Sequence, residues 1–144
     1  MAGLKFDDMA PRVISAKTHS IIDYVHAATN FAAAAMFRRR DRRASWAAFA
    51  LGASVLGNAL MTDYELGVFR LYSFKVHGIL DYSVAAASAL MPKLLDLDGA
   101  EAAYFYGQGG GETTIAAMSD YDDDAGARRL PRRINPNFER WRAA

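Results

Sequence analysis

The chain contains no cysteine, which excludes disulfides, thiolate nucleophiles and thiolate metal sites. Histidine is scarce, at three in 144 residues. Charge of one sign is missing too: 17 Lys and Arg stand against 16 Asp and Glu, for a formal net charge of +1. That balance points away from nucleic acid as a partner, and the basic clusters lack the interleaved aromatics of a stacking platform. No Gly-x-Ser-x-Gly nucleophile motif occurs. Gly107-x-Gly109-Gly110-Gly111 lacks the Gly-Lys-Ser/Thr that would make it a phosphate loop. Residues 1–12 carry Lys5, Asp7 and Asp8 without an apolar run, so a secretory leader is not expected.

What the chain has in quantity is apolar side chains, 52% of the total and rich in Ala, arranged as a duplication. Lys17-Thr18-His19-Ser20-Ile21-Ile22-Asp23-Tyr24 returns as Lys75-Val76-His77-Gly78-Ile79-Leu80-Asp81-Tyr82, displaced by 58 positions. Met61-Thr62-Asp63-Tyr64 returns as Met118-Ser119-Asp120-Tyr121, displaced by 57. Two landmarks at nearly one offset mean an internal repeat. A chain of this length is one domain, here built from two half-units.

The pattern predicts four helices. The first runs from about Ser15 to Phe37 without Gly or Pro, and His19, Asp23, His26 and Asn30 form one polar stripe along it. The basic run Arg38, Arg39, Arg40, Arg42, Arg43 interrupts the pattern. Ser45 is the expected N-cap of a second helix, Trp46 to Met61, which carries no charge for 16 residues. The third is expected from about Leu71 to Met91, weakening at Pro92. The fourth, from Ala100 to Ser119, is the least regular, because its four glycines each cost about 1 kcal/mol against Ala in a helix interior. The expected architecture is an all-α four-helix bundle of two tandem helix pairs, about 15–64 and 73–121. Repeat one extends to 67, an N-terminal arm covers 1–14, and a basic flexible tail covers 122–144.

An apolar, nearly charge-free second helix belongs in lipid or in a large core, and a chain this small has little core to offer. Trp46, Tyr64, Tyr72 and Tyr104 near the helix ends match an aromatic belt. The expectation is therefore a multi-pass transmembrane bundle. Arg38, Arg39, Arg40, Arg42 and Arg43 are candidate contacts to anionic headgroups.

One constellation could carry chemistry: His19, Asp23 and His26 on the first helix, with His77 and Asp81 on its repeat mate. His and Asp four residues apart share a helix face. Three readings stand open. Each His pairs with its own Asp and fixes register; the cluster binds a metal such as Zn or Fe; or it relays protons. Asp63 and Asp120, at helix ends where the dipole disfavours acids, are expected to pair with Lys17 and Lys75. No cofactor is otherwise expected.

The runs His19-x-Ile21-Ile22-Asp23-Tyr24, Leu60-Met61-Thr62-Asp63-Tyr64-Glu65-Leu66-Gly67 and Val76-His77-x-x-Leu80-Asp81 resemble the SPW repeat family of bacterial membrane proteins. The resemblance covers roughly residues 15 to 121. In the second repeat the Ser-Pro-Trp signature falls on Met91-Pro92-Lys93, keeping only the proline. The resemblance implies a duplicated pair of transmembrane helices in the bacterial inner membrane, with a structural or accessory role. Lipid is then the main partner and self-association an expected mode. The alternatives are a metal-binding or proton-relaying bundle and a soluble helical interaction domain.

Overall fold

The computed structural model describes residues 11–123. It is all-helical apart from two very short strands. The order is α1 (Ala16–Phe37), α2 (Arg42–Met61), β1 (Thr62–Asp63), β2 (Tyr72–Ser73), α3 (Phe74–Leu94) and α4 (Gly99–Met118). α1 packs chiefly on α2 and α3 on α4, so each repeat is a helix hairpin. Of the expected arm and tail, residues 1–10 and 124–144 lie outside the described residues.

The helix ends differ from expectation in ways the caps explain. α2 starts at Arg42, inside the basic run, because the Asp41 side chain accepts from the backbone N–H of Arg43 and Ala44. An acidic cap satisfies two orphan donors at the positive end of the helix. The Arg43 guanidinium bound to Asp41 holds that carboxyl below its usual range. Ser45, the expected cap, instead donates its hydroxyl to Ala34 O on α1 at 2.7 Å. α3 begins at Phe74 rather than Leu71, and Pro92 lies inside it, buried. The proline removes only one N–H near the C-terminus, and the helix stops two residues later.

The strands were not expected, and they close the molecule. β1 pairs in parallel with β2, joining the end of α2 to the start of α3. A bridge between Ile14 and Ser119 joins the end of α4 to the start of α1. Ile14 and Tyr72, like Ser119 and Thr62, are repeat equivalents. The two hairpins are thus tied at the same end by equivalent backbone pairings, giving a pseudo-two-fold arrangement.

Close approach within each hairpin is set by one glycine per repeat. A Cβ on Gly52 would lie 3.0 Å from Asn30 Cβ, and one on Gly109 would lie 2.8 Å from Ala85 O and 3.0 Å from Ala89 N. Gly52 and Gly109 are 57 positions apart, the repeat offset. Gly107, Gly110 and Gly111 meet nothing. An apolar cluster that includes Phe37, Ala48, Leu51, Leu97 and Phe105 fills the arginine end of the bundle. A smaller one, with Ala16, Ala59, Tyr64 and Phe74, fills the strand end.

Among the described residues, only α2 is long and apolar enough to cross a membrane by length and composition, with mean hydropathy 1.4.

The two kinds of glycine in α4 make opposite predictions. Gly109→Ala should destabilise the fold by about 1–3 kcal/mol through overpacking against the α3 backbone. Gly110→Ala should stabilise it by about 0.5–1 kcal/mol through helix propensity. Denaturant unfolding of both variants checks this; equal effects would refute the assigned crossing point.

Candidate functional site

The helix spacing that puts His19 over Asp23, and His77 over Asp81, turns both pairs toward the bundle axis, where they meet. All four residues are buried, none more than 3% exposed. His19 Nε2 and His77 Nε2 lie 3.2 Å apart. His19 Nε2 is 3.2 Å from Asp23 Oδ1 and 3.3 Å from Asp81 Oδ2. His77 Nε2 is 3.0 Å from Asp81 Oδ1 and 3.3 Å from Asp23 Oδ2. Each carboxylate therefore spans both imidazoles, and each Nε2 faces three electron-rich neighbours at once.

The opposite ring nitrogens are held across the repeat boundary. His77 Nδ1 is 2.7 Å from Thr62 Oγ1, and His19 Nδ1 is 2.6 Å from Ser119 Oγ. Each hydroxyl also donates to the carbonyl four residues back, Thr62 to Asn58 O at 2.6 Å and Ser119 to Ile115 O at 2.7 Å. A carbonyl has no proton to give, so the hydroxyl's single hydrogen goes to it. The ring must then supply the hydrogen between hydroxyl and Nδ1. Both imidazoles are thereby fixed with Nδ1–H outward and Nε2 inward. The strand pairings at Thr62 and Ser119 place these hydroxyls.

The carboxylates are held just as firmly. Tyr64 donates its hydroxyl to Asp23 Oδ2 at 2.7 Å, and its repeat mate Tyr121 donates to Asp81 Oδ2 at 3.2 Å. Asn58 Nδ2 donates to Asp81 Oδ1 at 3.0 Å, and Tyr72 in turn donates to Asn58 Oδ1 at 2.7 Å. Burial, reinforced by the neighbouring aspartates, pushes the phenols of Tyr64 and Tyr121 up, which keeps them as donors.

His26, expected in the same cluster, is engaged elsewhere: its Nδ1 lies 2.7 Å from Glu112 Oε2 on α4. The repeat equivalents of these two residues are Val84 and Val55, so this pair exists once. Further along the stripe, Asn30 Oδ1 accepts from Tyr104 at 3.0 Å. His26 Nε2 and Gln108 Nε2 are buried without partners among the described residues. Both line a crevice between α1 and α4 of about 360 Å³.

The expected helix-end ion pairs are corrected by a short shift along each connector. Lys17 pairs with Glu65 at 3.1 Å rather than with Asp63 or Asp120. Lys75 pairs with Asp122, whose carboxyl is held below its usual range by that ammonium. Asp63 is taken by Arg70 at 3.2 Å, and Asp120 Oδ1 accepts from the backbone N–H of Asp122. Glu65 and Asp122 are repeat equivalents, so the lysine pairing is itself duplicated. The expectation placed the acid at the helix end, whereas a turn intervenes before the chain passes the lysine. Among the arginines, Arg40 reaches Glu101 at 3.5 Å and Arg43 reaches Asp41 at 3.1 Å. Arg38 and Arg42 line a groove with Phe31, Ala35, Trp46 and Phe49.

The sequence reading missed Thr62, Ser119, Tyr64, Tyr121, Asn58 and Glu112. For the first four, the signal was the repeated Met-Thr/Ser-Asp-Tyr motif, whose hydroxyl and phenol matter where only its Asp was singled out. Compared with family models, curated proteins and solved structures, the chain shows no match in any of the three.

Tyr64→Phe deletes one donor to a buried carboxylate and should cost about 1–3 kcal/mol of stability. Tyr82→Phe, at a half-exposed position on the bundle's outer face, should change it by less than about 0.5 kcal/mol. Equal losses in denaturant unfolding would sink the assigned role of Tyr64.

Proposed function

We propose that the chain is an integral component of a lipid bilayer, a duplicated helix hairpin whose buried polar centre locks the two halves in register. Its role on this reading is structural or accessory, as the SPW resemblance implies. One observation carries the proposal: the ionisable side chains of the helical stretches are turned inward while large apolar side chains stand exposed on the outer face.

In residues 18–37, 44–61, 76–92 and 102–118 there is no Lys or Arg. Every Asp, Glu and His in those stretches is directed inward: Asp23, Asp81, Glu112, His19 and His77 are buried, and His26 is held by Glu112. At about 1.5 Å per residue these stretches span roughly 25–30 Å, the thickness of a hydrocarbon core. Outward-facing positions carry Ile21, Val25, Phe49, Ile79 and Leu90, all about half exposed or more. Mean hydropathy counts all sides of a helix, so inward His, Asp and Asn lower the score of α1 and α3 without facing lipid.

The exposed hydroxyls fit the same environment. Thr29, Ser54, Ser83, Thr113 and Thr114 each donate to the carbonyl four residues back. In lipid, where no water can take that bond, internal satisfaction is required. Lys17, Lys75, Lys93 and the 38–43 arginines lie at or beyond the helix ends, where headgroups would meet them. A proton relay through the whole bundle is disfavoured, because the apolar cluster around Phe37, Leu51 and Phe105 closes the arginine end.

On this reading the protein stays in the membrane pellet after alkaline carbonate or high-salt extraction. Val25→Arg, on the outer face near mid-helix, should add about 2.5–3.5 kcal/mol to insertion and cut membrane recovery. Arg39→Glu in the exposed loop should not. Release of the wild type by carbonate would overturn the proposal.

A further inference from the structure

We infer that His19, His77, Asp23 and Asp81 form a binding site for one divalent transition-metal ion of the Zn²⁺, Fe²⁺ or Mn²⁺ class. This goes beyond the bilayer reading and does not depend on it. The inference rests on which lone pairs converge and on how far apart they are.

With Nδ1–H committed to Thr62 and Ser119, Nε2 is the nitrogen that each imidazole turns to the centre. Those two nitrogens face two carboxylates, whose oxygens accept from Tyr64, Tyr121 and Asn58, while among the described residues no side chain outside the four reaches either Nε2. A cation at the centre would hold such a set together in a dry interior. Protons serve poorly, because an N–H points in one direction, whereas each Nε2 has three neighbours at 3.0–3.3 Å. Placing a proton on both nitrogens would set two N–H groups against each other across 3.2 Å.

A metal ion would instead take one lone pair from each group. Donors about 2.0–2.2 Å from a tetrahedral ion lie roughly 3.3–3.6 Å apart, close to the 3.2 Å between the two Nε2 atoms and the 3.2 Å from His19 Nε2 to Asp23 Oδ1. His19, Asp23 and His77 can each offer one ligand atom with all three within 4.8 Å of one another. Asp81, with Oδ1 3.0 Å from His77 Nε2 and Oδ2 3.3 Å from His19 Nε2, stands beside both rings as the fourth candidate. Two carboxylates and a divalent ion sum to zero charge, which suits a buried site.

The surrounding shell is that of a ligand set rather than of a simple ion pair. Each imidazole donates its outer N–H to an oxygen, which orients the ring and makes Nε2 more basic. Each carboxylate accepts from a tyrosine, and Asp81 from Asn58 as well. The donors are nitrogen and oxygen only, which favours Zn²⁺, Fe²⁺ or Mn²⁺ over the soft Cu⁺. His26 is excluded by its bond to Glu112, so the site is symmetric, with one His and one Asp from each repeat.

The test is metal binding by the full-length chain, purified, stripped with chelator and titrated with Co²⁺ and Zn²⁺. The expected result is one equivalent per chain, with Co²⁺ giving the intense visible absorption of a low-symmetry, nitrogen- and oxygen-ligated ion. His19→Gln with His77→Gln should remove that band and weaken Zn²⁺ binding at least tenfold. Thr62→Val leaves all four ligands in place and should weaken binding by about 10–100-fold through the lost support of His77. Glu112→Gln, outside the set, should bind as the wild type does. A helical wild-type protein that takes up neither ion at millimolar concentration overturns the inference. So does equal metal content in the double His variant, which would mean an adventitious ion only. If the double variant does not fold, the wild-type titration and Thr62→Val decide.

Discussion

The contact on which the rest depends is the meeting of two imidazoles and two carboxylates on the bundle axis. Burying a carboxylate costs several kcal/mol unless its oxygens are satisfied. Here that requirement recruits residues from every part of the described fold. Tyr64 and Tyr121 return from the connectors to the aspartates of their own repeats. Thr62 and Ser119 reach across to the histidines of the opposite repeat. The short strand pairings make this crossing possible, since they lay the end of each hairpin beside the start of the other. Small side chains follow from the same demand. Gly52, Gly109 and the many alanines let the helices approach closely enough for short side chains to touch.

The duplication is obeyed at the centre and broken around it. His19 and His77, Asp23 and Asp81, Tyr64 and Tyr121, and Thr62 and Ser119 all keep their roles in both repeats. Away from the axis the halves diverge. The crevice between α1 and α4 holds His26, Glu112 and Gln108. Its counterpart between α2 and α3 is lined mostly by apolar side chains, Val84 and Leu51 standing at two of the matching positions. Asn58, which braces Asp81, stands opposite Ile115, so the two carboxylates are supported unequally. A metal ion on the pseudo-axis would meet two equivalent histidines and two unequally braced aspartates.

The ionisable groups of the helical stretches gather inside, and the outer face is aliphatic, aromatic and small. In lipid the hydrophobic effect gives helices little reason to associate, so packing and interior polar contacts must do so. The buried centre supplies such contacts directly between the repeats, and the glycine crossings supply close packing within each. On the bilayer reading, these contacts would be what holds the two repeats together.

Much of the architecture was legible in the chain itself. The offsets of 57 and 58 determine a duplicated helix pair. The His19, Asp23, His26, Asn30 stripe determines an inward polar face, because helix periodicity alone puts those residues on one side. The absence of cysteine and of known nucleophile motifs determines which chemistries are closed. Tertiary structure decided the rest. Only folding could show that His26 turns to Glu112 on the expected fourth helix. Only folding could bring Ser119 to His19, a hundred residues apart, because strand pairing between the chain's two ends has no local signature. Which nitrogen each histidine turns to the centre depends on those long-range hydroxyls and is written nowhere in the helix that carries the ring.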